Sequence, residues 1–172
     1  MPWDLAQVEA ILHSARTISA ETVRQWLESD NPQIVAAGLR AAAEHRERIV
    51  GVVPADEICP KALSLFRRNF HEVLFSSAAE ARHEAGRSFC AWFAAVSADD
   101  LFPREALQDL KGLLAQTYRE GNAALRQHVV ADVLEPLFES RRLAAYFIDW
   151  QEDPELREPF AQALDWGQAF WP

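Results

Sequence analysis

Apolar residues recur at three- and four-residue intervals through most of the chain, the spacing that gathers one face of an α-helix. Leu5, Val8, Ile11, Leu12 and Ala15 make a first stripe behind Asp4 as N-cap. Ser19-Ala20-Glu21 opens a second helix with Val23, Trp26 and Leu27 turned inward, ending at Ser29-Asp30-Asn31-Pro32. Asn31 caps a third, which runs past Ala43 and stops before Gly51. Gly51-Val52-Val53-Pro54 reads as a connector and Asp56 to Pro60 as one helical turn. A helix from Lys61 carries Leu63, Phe66, Phe70, Val73 and Leu74 and closes at Ser76-Ser77. The next, Ala79 to Val96, ends at the break Ser97-Ala98-Asp99-Asp100. Pro103 suits the first turn of a helix reaching Arg119, where Gly121 stops one helix and Asn122 starts another. That helix meets Pro136, which cannot donate four residues back, so an end or kink is expected near Leu134. Ser140 to Trp150 forms a short helix, and a last one runs from Pro154 to about Phe170. The pattern needs no strand and predicts one all-α domain over 1–172, with about seven or eight helices in antiparallel pairs.

One stretch recurs in weaker copies: Asp153-Pro154-Glu155-Leu156-Arg157-Glu158-Pro159-Phe160-Ala161-Gln162-Ala163-Leu164. With Leu156 as reference, the same column holds Ile34, Ala81 and Leu125, followed at once by Val35, Arg82, Arg126 and Arg157. Four residues on lie Gly38, Ala85, Val129 and Phe160, and eight on lie Ala42, Phe89, Val133 and Leu164. Both columns fall on the reference face and form a buried stripe. Asn31, Ala78, Asn122 and Asp153 stand three residues before the reference, where an N-cap belongs; at Ala78 the neighbouring Ser77 can take that role. An isolated helix has no need of the arginines, so their recurrence points to contacts between successive units. Asp-Pro-x-Leu-Arg followed by apolar residues at helical spacing resembles a HEAT repeat, a unit of two antiparallel helices that stacks into a solenoid. The references at 34, 81, 125 and 156 are separated by 47, 44 and 31 residues. The first two separations fit the roughly 40–47 residues of HEAT and armadillo units, and the last is short. Val35 departs from the arginine column. The resemblance implies a short HEAT-like α-α superhelix, with an irregular helical bundle as the alternative.

Composition adds limits. There is no apolar run long enough to span a membrane and no signal-peptide pattern, which predicts a cytoplasmic chain. The formal charge is −9, and a general nucleic-acid binder needs the opposite sign. From Asp149 onward six carboxylates (Asp149, Glu152, Asp153, Glu155, Glu158 and Asp165) face Arg157 alone. Such an end suits a basic partner or simply a solvated face. The two cysteines, Cys59 and Cys90, lack metal-ligand spacing, and no cofactor is expected.

Candidate chemistry is sparse. Glu80 and His83 have the Glu-x-x-His spacing of carboxylate-bridged metal helices, but no second copy accompanies them. Cys90 lies in an apolar stretch between Phe89 and Trp92, where a thiol acts as a small hydrophobe with a raised pKa; Cys59 is expected to be exposed. No Gly-x-Ser-x-Gly, phosphate-binding Gly loop or His-Glu-x-x-His occurs. Catalytic, metal and cofactor-binding residues are therefore assigned to none, which weighs against an enzyme. Three of the six tryptophans, Trp150, Trp166 and Trp171, lie in the acidic end; Trp166 is placed in the core and Trp171 on the surface.

These features favour a non-enzymatic protein-protein interaction module, an adaptor or a small acidic inhibitor of the immunity type. Its partner is another protein, a basic one favoured, with neither nucleic acid nor membrane expected. Its candidate contacts are Glu155, Glu158, Gln162, Asp165 and Trp171. The alternative implied by the resemblance is an enzyme or ligand-binding protein on the same scaffold, of the DNA-repair glycosylase or chromophore-lyase kind.

Overall fold

The computed structural model of the chain describes residues 2–73 and 79–172, with side chains at all of these except 73 and 79–81. The fold is all-α. In chain order the helices are α1 (Leu5–Leu12), α2 (Ala20–Leu27), α3 (Pro32–Glu44), α4 (Ala55–Val73), α5 (Ala79–Ala98), α6 (Arg104–Glu120) and α7 (Ala123–His128). A π-helical turn (Val129–Leu134) joins α7 to α8 (Glu135–Phe138). Then come α9 (Arg141–Ala144), a 3-10 helix (Ala145–Glu152) and α10 (Arg157–Gln168).

Side chains satisfy exposed N–H groups that open five of these helices. Asp4 accepts from the Gln7 N–H while the Gln7 side chain reaches back to the Asp4 N–H, a capping box. Ser19, Asn31, Asn122 and Ser140 cap α2, α3, α7 and α9. Asp153 accepts from the N–H groups of Glu155 and Leu156, and α10 itself begins at Arg157, later than the pattern placed it. The predicted stop at Ser76-Ser77 and the cap at Ser77 or Ala78 lie outside the described residues. Ala55 to Val73 is one continuous helix containing Pro60, not a separate turn before Lys61. Pro60 sits close enough to the helix start that it removes one early backbone bond without ending the helix.

Within consecutive pairs, α2 packs on α3, α4 on α5, α6 on α7, and the 3-10 helix on α10. The second members also touch in chain order: α3 on α5, α5 on the π-turn, and the π-turn and α8 on α10. The repeated columns supply these contacts. Ile34, Leu125 and Leu156 are buried, as are Gly38, Val129 and Phe160, and so are Ala42, Phe89 and Val133. Ala81 lies outside the described side chains, while Ala85 and Leu164 are half-buried. A chain of ring contacts runs through this interior, from Phe66 and Phe89 to Phe93, Phe147, Phe138 and Phe160. In the arginine column, Arg126 bonds the Tyr118 and Arg119 carbonyls at the end of α6 and lies over the Tyr118 ring.

The first quarter of the chain closes differently from the pattern, which needed no strand. Ile18–Ser19 (β1) pairs in parallel with Ile49–Val50 (β2), a two-residue ladder. Arg48 makes it possible by donating to the carbonyls of Ile11, Leu12 and Arg16 at 2.8 to 3.1 Å, which satisfies the C-terminal end of α1. Gly51 follows β2 at φ 99, a backbone conformation suited to glycine.

At Pro136 the helical path does not end, and a π-helical turn takes up the disturbance expected near Leu134. The Glu135 N–H bonds to Val130 O, five residues back, and the widened turn carries the chain past the proline. Two glycines bring neighbouring helices onto this element. A Cβ at Gly86 would sit well inside van der Waals contact with the Asp132 carbonyl, and one at Gly167 would do the same with the Phe138 carbonyl. Both obstacles are backbone and cannot swing aside. Gly86→Ala and Gly167→Ala should therefore each destabilise by about 1–3 kcal/mol, whereas Gly112→Ala, with open space around it, should stabilise α6 by about 0.5–1 kcal/mol. Phe89→Ala should cost about 3–5 kcal/mol and Leu164→Ala, half-buried, distinctly less. Urea unfolding of the purified variants measures all five.

Candidate functional site

Three places hold side chains whose arrangement exceeds what packing needs. The first is an open cleft of about 710 Å³ between α3 and α5, bounded by α1 and α4. Its floor is apolar, with Ala36, Ala37, Leu65, Phe66 and Trp92. The small residues on α3 keep that floor low, because α3 presents alanines where a larger side chain would fill the space. Charge fringes it: Glu9 pairs with Arg40 at 2.8 Å, Glu84 with Arg87 at 2.8 Å and Glu72 with Arg68 at 2.8 Å, while Glu44 stands exposed on the rim. Four carboxylates thus meet three guanidinium groups. Both cleft-forming helices carry the recurring columns, and the lining residues on them lie off those columns except for Ala85.

The second place is the partly buried seam between α5 and the π-turn, open at His83 and closed at His128. His83 and Cys90 on α5 face His128 and Asp132 on the neighbouring helix. Asp132, 11% exposed at its side chain, accepts from His128 Nδ1 at 2.8 Å and pairs its other oxygen with His83. A carboxylate accepts only from an N–H, so the His128 proton sits on Nδ1. Nε2 is left as a bare lone pair, buried with no partner, in a side chain whose ring lies edge-on to Phe70. Burial pushes the His128 imidazole below its usual range; Asp132 opposes this, and the nearby charges of Arg82 and His83 add to it. The Cys90 thiol donates to Val133 O at 3.4 Å and lies near Asp132 O, the carbonyl that Pro136 cannot serve. Burial first, then the negative charges of Asp132 and Glu139, hold its pKa up to about 12. A thiol so held is not a nucleophile at neutral pH. The seam is a structural joint, and each imidazole directs Nδ1 to the shared carboxylate. Among the described residues no group of three or more His, Cys, Asp or Glu side chains could hold a metal ion. Glu80, the other half of the Glu-x-x-His spacing, lies outside the described side chains. Cys59 is half-buried against the core rather than exposed, and burial raises its pKa as well.

The third place is the acidic end, and the predicted contacts divide there. Glu158, Gln162 and Asp165 are exposed on one face of α10. Glu155 is exposed but turns to α6, where Arg119 approaches it at 3.6 Å and pairs with Asp153. Asp153 is held below the usual carboxylate range, chiefly by the N–H of Glu155, with Leu156 and Arg119 contributing. The two tryptophans are reversed from expectation. Trp171 is half-buried, its indole N–H bonded to Phe138 O at 2.9 Å and its ring covered by Arg141. Trp166 is 48% exposed and lies against Phe170, itself 53% exposed, with ring centroids 5.8 Å apart. Trp171 lies beyond α10, where the chain can fold back to reach the Phe138 carbonyl. Trp166 shares the outward face of Glu158 and Gln162. The four-residue spacing of 158, 162, 166 and 170 carried that information, but an indole's usual burial outweighed it.

No protein-family model, curated protein or solved structure matches this chain. No helix among the described residues is long and apolar enough to cross a membrane.

The seam generates a pH prediction. An unfolded His128 takes up its proton in the ordinary histidine range near 6.5, and the folded one does so lower. Stability is therefore fully present above that range and falls as pH drops through it. Urea midpoints measured from about pH 7 down to about pH 5.5 should show this loss, and His128→Phe should flatten it. In the native protein Cys90, half-buried and held as a thiol, should react with a thiol reagent more slowly than it does once urea is added.

Proposed function

We propose that this chain is a protein-interaction module. Its helix pairs stack in the manner of HEAT repeats, and the α3–α5 groove receives an amphipathic segment of a partner protein that carries basic residues. The groove carries this reading. Its volume, about 710 Å³, falls in the range of specific binding clefts, and its apolar floor offers area to bury. Its rim has more carboxylate than guanidinium, in keeping with the chain's formal charge of −9. Partners of that chemistry gain from desolvating an apolar face while the fringe selects sign and speeds encounter. The contact order of α3, α5, the π-turn and α10 supports the stacked arrangement, as do the buried repeat columns.

The test places a photo-reactive residue at Ser88, which lines the groove, and another at exposed Gln151 on the 3-10 helix. Ser88 should yield a defined protein adduct absent from Gln151. That adduct should disappear in Ala91→Trp, which fills the groove, and weaken in Glu44→Lys with rising salt, while circular dichroism of both variants stays native. The same adducts from both positions, or an Ser88 adduct indifferent to Ala91→Trp, would reject the groove as the binding surface.

A further inference from the structure

The opposite end of the chain carries a second surface, independent of the groove. Trp166 and Phe170 are exposed large aromatics on the outward side of α10 and its C-terminal extension, and they touch each other. Apolar area of this kind, placed in one patch, marks a contact surface more than a lone exposed side chain does. Beside it on α8 stand two carboxylates. The Trp166 indole N–H lies 3.4 Å from Glu139 Oε1, and the Gln162 amide lies 3.4 Å from Glu135 Oε1. Glu158 and Asp165 complete the border from α10 itself. Some exposed acids elsewhere have cationic partners, as Glu57 does with Arg24 and Glu28 with Lys61. No ion pair neutralises Glu135, Glu139, Glu158 or Asp165 among the described residues.

The patch therefore combines two features that suit one ligand group: an aromatic face and carboxylates at its edge with no cation. A guanidinium meets both at once, stacking flat on an indole while its N–H groups donate in the ring plane to a carboxylate. The chain already makes the first half of this arrangement a few residues away, where the Arg141 guanidinium lies over the Trp171 ring at 5.8 Å. That site is occupied from within. Trp166, on the outer side, has the carboxylates and lacks the cation.

We infer that the Trp166–Phe170 face, with Glu135 and Glu139, docks an arginine-bearing helix of a partner protein, an arginine stacking on Trp166 and pairing with Glu139. A duplex nucleic acid is repelled by the four carboxylates. An anionic membrane is repelled likewise.

The probe is an alanine-based helical peptide of about 18 residues, long enough to hold helix, with arginine at every fourth position; the control carries glutamate instead. The readout is the indole N–H resonance of Trp166 in the full chain, assigned by Trp166→Phe. The arginine peptide should move that resonance saturably and the glutamate peptide should not. Glu135→Lys with Glu139→Lys should weaken binding by about tenfold or more. Followed by the fluorescence anisotropy of a dye-labelled arginine peptide, which needs no Trp166 resonance, Trp166→Ala should weaken binding by about tenfold and Trp166→Phe by less. Lysine in place of arginine should bind several-fold more weakly. The groove-filling Ala91→Trp should leave this titration unchanged, so the two surfaces fail or stand separately. An unmoved Trp166 resonance would overturn the proposal, as would binding insensitive to Trp166→Ala, which would mean diffuse charge attraction alone. A stronger response to a DNA duplex or to phosphatidylserine vesicles than to the arginine peptide would overturn it too.

Discussion

The structure turns on one stretch, the continuous helical path from Ala123 to Phe138, which is clasped between α5 and α10 with backbone against backbone. Pro136 removes the donor that the Asp132 carbonyl would have had, and the π-turn from Val129 widens the helix at that place. The backbone there offers carbonyls to its surroundings, and α5 answers with the Cys90 thiol. Gly86 permits the approach, and Gly167 permits an equivalent one on the far side at Phe138. Close approach on both sides lets Phe89, Val133, Phe138 and Phe160 bury almost completely. Within that helix His128 and Asp132 form a buried hydrogen-bonded pair, and His83, 63% exposed, joins the same carboxylate from α5. An exposed contact of that kind adds little net stability.

How far the sequence revealed this follows from the range of each interaction. Caps are local, and Asp4, Ser19, Asn31 and Asn122 each act where the pattern put them. The buried columns are local too, because helical period assigns a face before anything packs on it; Ile34, Val129 and Phe89 are buried accordingly. Pro136 announced a disturbance, but its form depended on what lay alongside. The carbonyls could be left open because α5 supplied a thiol and a glycine, and those stand about forty residues upstream. The β1–β2 pair escaped notice for the same reason. Two residues carry no periodic signal, and what holds them is the Arg48 guanidinium reaching back to α1.

The tryptophans show a different limit. Hydrophobicity ranks Trp166 and Trp171 alike, so burial had to be decided by which indole N–H found an acceptor. Trp171 finds the Phe138 carbonyl, a group at the end of α8 that no helical donor serves. Trp166 finds only an exposed carboxylate at 3.4 Å. A candidate surface drawn from residue type therefore included the wrong indole, while its acidic members on α10, Glu158, Gln162 and Asp165, stand exposed together.

Scaffold and surface are coupled at Gly167. This residue holds α10 so close to α8 that Trp166, its immediate neighbour, is set beside Glu139 instead of one helix diameter away. Its partner in the fold, Gly86, sets α5 against the π-turn, which turns the opposite face of α5, with Arg87, Ser88 and Ala91, toward α3 and into the cleft. Each glycine thus faces inward on a helix whose outward residues form a candidate contact surface. A substitution at either would change two things at once: the free energy of the seam, and the spacing of the side chains displayed on the other face. The two surfaces need not communicate for this to hold, since rigid helices transmit a shift at the seam directly to the side chains one half-turn away.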